Sequence, residues 1–280
     1  MGRMEVVVYP DAESFLAVAQ DWLEAHEVEH CLLLGVARRM RGAPPESDLL
    51  FATVTDAGRL AVAAVMTPPY PLLLVATDHA ALPPLVDGLL AAGWSIPGVT
   101  GPEAAAEAFG AAWAKATGQT ARLVRDMRLY CLEDVIPPPA PPGRFRQAVE
   151  ADAPLLADWM AAFEAEATPD NPPSDTATRI RVRIAAGELF VWEDGGQPVT
   201  FAGTTRPLRT CISIGPVYTP PEQRRRGYAT ACVATLSQWL LDQGWQHCAL
   251  FTDLANPTSN SIYQKIGYHP VCDYRTYRFS

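Results

Sequence analysis

Ile214-Gly215-Pro216-Val217-Tyr218-Thr219-Pro220-Pro221-Glu222-Gln223-Arg224-Arg225-Arg226-Gly227-Tyr228-Ala229-Thr230 is the stretch that decides the fold. It reads as a strand end, a tight loop and a helix start. The first turn of a helix carries unpaired N–H groups and a partial positive charge, so it attracts phosphate. Gly227 lets backbone approach an anion closely, and Ala229 keeps the helix start uncrowded. Arg224, Arg225 and Arg226 add charge and bidentate donors. Gly215-Pro216 breaks the ladder of the preceding strand, because proline donates no hydrogen bond, and so frees nearby backbone for an extended ligand.

Reading outward, a second segment runs Asn256-Pro257-Thr258-Ser259-Asn260-Ser261-Ile262-Tyr263-Gln264-Lys265-Ile266-Gly267-Tyr268. It puts Tyr263 on a short helix after a strand expected beside the broken one. A phenol, with an ordinary pKa near 10, can serve a departing thiolate, whose thiol titrates at roughly 8.5. Around these segments the pattern predicts a strand at 145–148 and a helix capped by Asp152 with Pro154 in its first turn. A second helix follows, capped by Asp175, and then strands at 189–192 and 199–204 around the turn Asp194-Gly195-Gly196. A strand at 210–218, a helix at 228–243, a strand at 248–252, a helix at 259–266 and a strand at 274–279 complete the half.

Together the two segments resemble the signature of the GNAT superfamily of acetyl-CoA-dependent N-acetyltransferases. Arg224-x-x-Gly227-x-Ala229 is similar to its pyrophosphate loop. Asn256-x-x-Ser259-x-x-Ile262-Tyr263-x-x-x-Gly267-Tyr268 is similar to its later tyrosine-bearing helix. The resemblance covers about 144–280 and implies an α/β fold (a mixed, mostly antiparallel twisted sheet flanked by helices) and acetyl-CoA as cofactor. It implies that the amides of Arg225, Arg226, Gly227, Tyr228, Ala229 and Thr230 hold the pyrophosphate with support from Arg224. Val217 and Tyr218 would offer backbone bonds to the pantetheine arm, Asn256 and Ser259 would help hold the cofactor, and Tyr263 would protonate the leaving thiolate. Many relatives carry a glutamate on the broken strand as general base, but here Thr210 to Gly215 holds no carboxylate. Glu164 and Glu166, at the end of the half's first helix, are the substitutes that the family's substrate side offers.

Ile136-Pro137-Pro138-Pro139-Ala140-Pro141-Pro142-Gly143 cannot enter a sheet centre or a helix interior and reads as a semi-rigid connector near the middle of the 280 residues. It divides the chain into 1–135, a linker at 136–143, and 144–280. The first part gives nearly the same order of elements, with strands at 5–8, 51–55, 60–66, 72–77, 94–99 and 123–135. Helices fall near 15–23, 31–40, 82–90 and 102–117. The whole chain thus also resembles bacterial tandem GNAT proteins with a degenerate first half. Between Leu74 and Leu85 there is neither glycine nor arginine, and the helix after Pro102 has Phe109 and Trp113 but no tyrosine.

The net charge of −9 argues against a general nucleic-acid binder. Nine basic and seventeen acidic residues lie in the first 135 positions, so the acidity is concentrated there. No stretch approaches the roughly 20 apolar residues of a membrane span, and no secretory signal opens the sequence, so a cytoplasmic protein is expected. The six cysteines show no short zinc or redox spacing, and only Cys248, beside His247, has a histidine in register, which points to packing rather than metal. The expected activity is acetyl transfer from acetyl-CoA to a primary amine of a small molecule or peptide, with homodimerisation open. The alternative is a non-catalytic acyl-CoA sensor on the same fold.

Overall fold

The computed structural model describes residues 4–44, 48–169 and 174–280. Residues 170–173 lie outside that set. The chain forms two compact units. One comprises Met1–Leu129, Thr252–Ala255 and Val271–Ser280; the other comprises Tyr130–Phe251 and Asn256–Pro270.

The first unit runs β1 (Met4–Tyr9), α1 (Ala12–Glu24), α2 (Cys31–Arg39), β2 (Leu50–Asp56), β3 (Arg59–Met66) and β4 (Leu72–Ala76). It continues through α3 (Leu82–Ala91), β5 (Gly98–Pro102), α4 (Glu103–Thr117) and β6 (Ala121–Leu132), whose last three residues belong to the second unit. Asp11 caps α1 by accepting from the Ser14 N–H. Leu82, Leu85, Val86 and Leu89 of α3 and Phe109 and Trp113 of α4 bury against Val54, Val62, Leu74 and Val99 of the strands. A fully buried Leu or Phe is worth about 1.5–3 kcal/mol, so this seam supplies much of the unit's stability.

The second unit runs β7 (Arg144–Gln147), α5 (Ala153–Ala167), α6 (Thr176–Ala185), β8 (Leu189–Asp194), β9 (Gln197–Thr205) and β10 (Cys211–Tyr218). Then come α7 (Tyr228–Asp242), β11 (His247–Asp253, its last two residues in the first unit) and α8 (Pro257–Lys265), and finally β12 (His269–Phe279), of which only the first two residues belong to the second unit. Both halves of the sequence therefore read strand, two helices, three strands, helix, strand, helix, strand. Strand alternation sorts the second core. Phe190 and Trp192 join the cluster under α7 and α8, while Leu189 and Val191 join the one under α5 and α6.

The structure departs from the sequence reading in three places. The proline-rich stretch does not separate the units: Tyr130–Val135 precede it yet belong to the second, and the end of β12 follows it yet belongs to the first. The reason is pairing, since Tyr274–Arg278 run antiparallel to Pro102–Gly98 of β5. β5 itself lies later than the expected 94–99. Asp152 precedes α5, but its carboxylate makes no cap. It accepts from the Val149 N–H at 2.8 Å and from both terminal nitrogens of Arg146 at 2.7 and 2.9 Å.

Among the described residues each half contains a parallel strand pair, and the two pairs differ. In the first unit β4 meets β5 through Leu72↔Val99 and Leu73↔Thr100, and β3 pairs β4 without a register shift. Gly101 then stays so near β4 that a Cβ there would lie 2.5 Å from the Leu74 carbonyl oxygen. In the second unit β10 meets β11 through Cys211↔His247, Ile212↔Cys248 and Ser213↔Ala249, and the ladder stops. On its other side β10 shifts register against β9 between Ile214 and Val217, at the expected Gly215-Pro216.

Candidate functional site

The site begins where β10 loses β11. Past Ser213 the strand still pairs β9, through Val217↔Ala202 and Tyr218↔Phe201, but not β11. Its backbone polar groups on that side are left for another partner. Arg183 of α6 fixes the bulge, donating through Nη2 to the carbonyls of Thr204 at 2.9 Å and Gly215 at 3.2 Å. That arginine was not singled out in the sequence, where nothing sets it apart from the other arginines of an amphipathic helix. The Tyr218 carbonyl is partly committed, accepting from the Thr200 hydroxyl at 2.7 Å.

The loop after β10 turns through a short 3₁₀ segment, Pro221–Gln223, and Arg225 adopts φ 64°. Gly227 takes φ 84° as the residue that opens α7, and no side chain caps the helix. The first-turn amides of α7 are therefore unserved by the chain itself. A Cβ built at Gly227 meets nothing within 4 Å, so the space before these amides is open. Arg225 and Arg226 are exposed beside it. The Tyr228 side chain turns away, donating from its hydroxyl to Asp194 at 2.5 Å; that hydrogen bond and burial raise its pKa. Tyr228 can thus serve the cradle only through its amide. These features fit a diphosphate: a positive helix end, an opening a side chain would fill, and guanidinium groups at its rim.

The corresponding loop of the first unit has neither the glycine nor the arginines. Its helix α3 follows Ala81, which has right-handed φ, and carries Pro83 and Pro84 in the first turn, where proline removes amide donors.

Tyr263 lies on α8 in the same apolar cluster as Tyr228 and Ala231 of α7. It is 9 % exposed and packs edge-on against Tyr268, ring centroids 5.9 Å apart. Burial pushes its pKa up to about 12, so the phenol stays protonated at neutral pH. Asn256 caps α8, its side chain accepting from the Ser259 N–H at 3.1 Å. That bond accounts for both residues structurally.

The two candidate bases are each held by an arginine. Glu164 accepts from the Ser174 hydroxyl at 2.9 and 2.8 Å and pairs with Arg179 Nη1 at 2.5 Å. Glu166 accepts from Arg224 Nη2 at 2.9 and 2.8 Å and from the Tyr218 hydroxyl at 3.3 Å. Arg224 also lies over the Tyr218 ring, 5.6 Å from its centroid. Trp192 and Phe201 are core residues, 6 % and 0 % exposed, and the Trp192 ring donates to the Pro142 carbonyl at 2.9 Å.

A mixed sheet that opens beside β10, followed by a helix begun on a left-handed glycine, defines the class of α/β domain present here. Residues 154–268 match the acetyltransferase (GNAT) family, and that stretch of the chain is a domain of this family. Solved structures share the fold along nearly the whole chain. A GNAT-family acetyltransferase of Colwellia psychrerythraea aligns over 99 % of this chain and 100 % of its own, at TM-score 0.62 and 11 % identity. A GCN5-related N-acetyltransferase of Sphaerobacter thermophilus aligns over 98 % and 95 %, at 0.64 and 18 %. A tandem GNAT protein of the clavulanic acid biosynthesis pathway aligns over 99 % and 98 %, at 0.58 and 14 %. No curated protein matches the sequence. Among the described residues no helix is long and apolar enough to cross a membrane.

Proposed function

We propose that the second unit transfers an acetyl group from acetyl-CoA to a primary amine by direct attack. The observation that carries this reading is the succession of an unpaired β10 edge, a left-handed Gly227 and an uncapped α7. Acetyl-CoA, when bound, supplies the thioester and the sulfur leaving group. The amides of Arg225 to Thr230 would hold its diphosphate, with Arg225 and Arg226 adding charge. Backbone of Val217 and its neighbours on β10 would hold and orient the pantetheine amides, and positioning of this kind supplies most of the acceleration.

Tyr263 would offer its hydroxyl as a hydrogen-bond donor to the sulfur. With its phenol at about 12 against a thiol of roughly 8.5, complete proton transfer is uphill by about 5 kcal/mol. The hydroxyl would therefore act as a hydrogen-bond donor that keeps its own proton, and the proton needed by the leaving thiol would come from the acceptor amine. Glu164 and Glu166 act as holders of Arg179 and Arg224 rather than as bases, so the acceptor must arrive as neutral amine.

The absence of a carboxylate on β10 and the engagement of both glutamates favour one second reading, a sensor that binds acyl-CoA without turnover. Thiol release and mass transfer from labelled acetyl-CoA against a panel of small amines and peptide amino termini separate the two. Acetylated product supports the enzyme; tight binding with no product from any amine supports the sensor.

A further inference from the structure

Four side chains of metal-ligating type converge at strand ends of the second unit, apart from the site described above. Cys131 lies near the end of β6, Glu133 two residues on, His247 is the first residue of β11 and His269 the first of β12. One ligand atom each from Cys131, Glu133 and His269 lie within 4.8 Å of one another. His247 Nδ1 stands 3.8 Å from the Cys131 sulfur and 3.4 Å from a Glu133 oxygen. The cysteine is 3 % exposed, while Glu133 and His269 are exposed and free to adjust their rotamers.

We propose that Cys131, Glu133 and His269, with His247 beside them, form a site for a zinc-class divalent cation. One thiolate, one carboxylate and imidazole nitrogen make a borderline donor set suited to zinc. In a tetrahedral site with bonds of about 2.0–2.3 Å the ligand atoms lie roughly 3.3–3.8 Å apart. The two His247 distances already have that value, and the other three atoms need a contraction of about 1 Å, within reach of two exposed side chains. Binding forms a sulfur–metal bond, releases the Cys131 thiol proton to solvent and displaces water from the ion, with no change of oxidation state.

The site belongs to the opposite end of β10 from the cradle. His247 pairs with Cys211, the first residue of β10, whereas the cradle follows Tyr218, the last. Seven residue steps at about 3.3 Å put roughly 23 Å between those ends. The ion would therefore act as a clip holding β6, β11 and β12 together, contributing stability rather than chemistry. Local cysteine spacings along the chain do not reveal this cluster. Here the pair Cys131 and Glu133 meets His247, which lies 116 positions beyond the cysteine, and His269 beyond it, a meeting that only the fold assembles.

The test uses the full chain stripped with chelator and titrated with cobalt(II), then zinc(II). The expected result is one equivalent of cobalt giving a thiolate-to-cobalt charge-transfer band and the visible bands of a tetrahedral ion. Zinc should displace it and raise Tm. Cys131→Ser should abolish the charge-transfer band, and His269→Ala, a change at an exposed residue, should weaken zinc binding at least tenfold. No charge-transfer band in the unaltered chain, or zinc affinity unchanged in His269→Ala, overturns the proposal, even if Cys131→Ser fails to fold.

Discussion

Arg224 Nη2 lies 2.9 and 2.8 Å from the two carboxylate oxygens of Glu166, across a separation of 58 residues. The pair joins the end of α5 to the loop before α7, and Arg224 Nε adds a bond to the Thr219 carbonyl at 2.9 Å. One of the arginines that the sequence offered to the diphosphate is thus held by one of the carboxylates it offered as base. Both side chains are half exposed, so the pair itself contributes at most about 1 kcal/mol.

Glu166→Gln separates the two roles. If the carboxylate only holds Arg224, its removal frees a guanidinium, and acetyl-CoA should bind up to about fivefold tighter with kcat within a factor of two. A base would instead cost roughly 100-fold or more in kcat. Steady-state kinetics with a calorimetric Kd decides between them.

Gly227→Ala should damage cofactor binding more than folding. At φ 84° an alanine is strained by about 1–2 kcal/mol, a Tm loss of a few degrees, and its methyl enters the space before the α7 amides. The expected loss in acetyl-CoA affinity is at least tenfold. A variant that binds as well as the parent would place the diphosphate elsewhere.

Much of this was legible in the sequence, and the failures share a cause. The order of elements, the bulge at Gly215-Pro216 and the loop before Tyr228 follow from local patterns of spacing, proline and glycine. The sequence does not place β5 correctly because Gly98-Val99-Thr100-Gly101-Pro102 has the composition of a turn. Gly101 is there because the Leu74 carbonyl leaves no room for a side chain. The pairing of β12 with β5, the capture of Asp152 by Arg146, the hold of Arg224 on Glu166 and the meeting of Cys131 with His269 all depend on long-range proximity. Charge or periodicity along the chain does not encode which partner an arginine or cysteine will find.

Tyr263→Phe keeps the ring against Tyr268 and removes the hydrogen bond offered to sulfur. Turnover should fall roughly 10- to 100-fold with acetyl-CoA affinity unchanged. Since burial holds the phenol at about 12, Tyr263 should add no alkaline limb to the rate profile below pH 10. The rising limb should track the acceptor's own pKa, moving when a more or less basic amine is supplied. A limb fixed across amines would mark a protein base.

Asp152 should govern part of the acid stability of the second unit. Burial alone would raise its pKa, but the bonds from Arg146 and the Val149 N–H outweigh that, so its folded pKa lies below the ordinary carboxyl value. A depressed folded pKa gives stability that is complete above the unfolded value of about 3.9 and lost as pH falls through the folded one. Arg146→Met should lower stability at pH 7 by about 1–3 kcal/mol and flatten the fall in Tm below pH 4. Melting curves of both proteins between pH 2.5 and 7 read this directly, and parallel curves would refute it.

The central claim is that one half of this chain, and not the other, holds acetyl-CoA. Isothermal titration of acetyl-CoA into the purified chain measures that as a stoichiometry. One molecule per chain, with the heat lost or much reduced in Gly227→Ala, is the predicted result. Two molecules per chain, or no binding at millimolar acetyl-CoA, would contradict it.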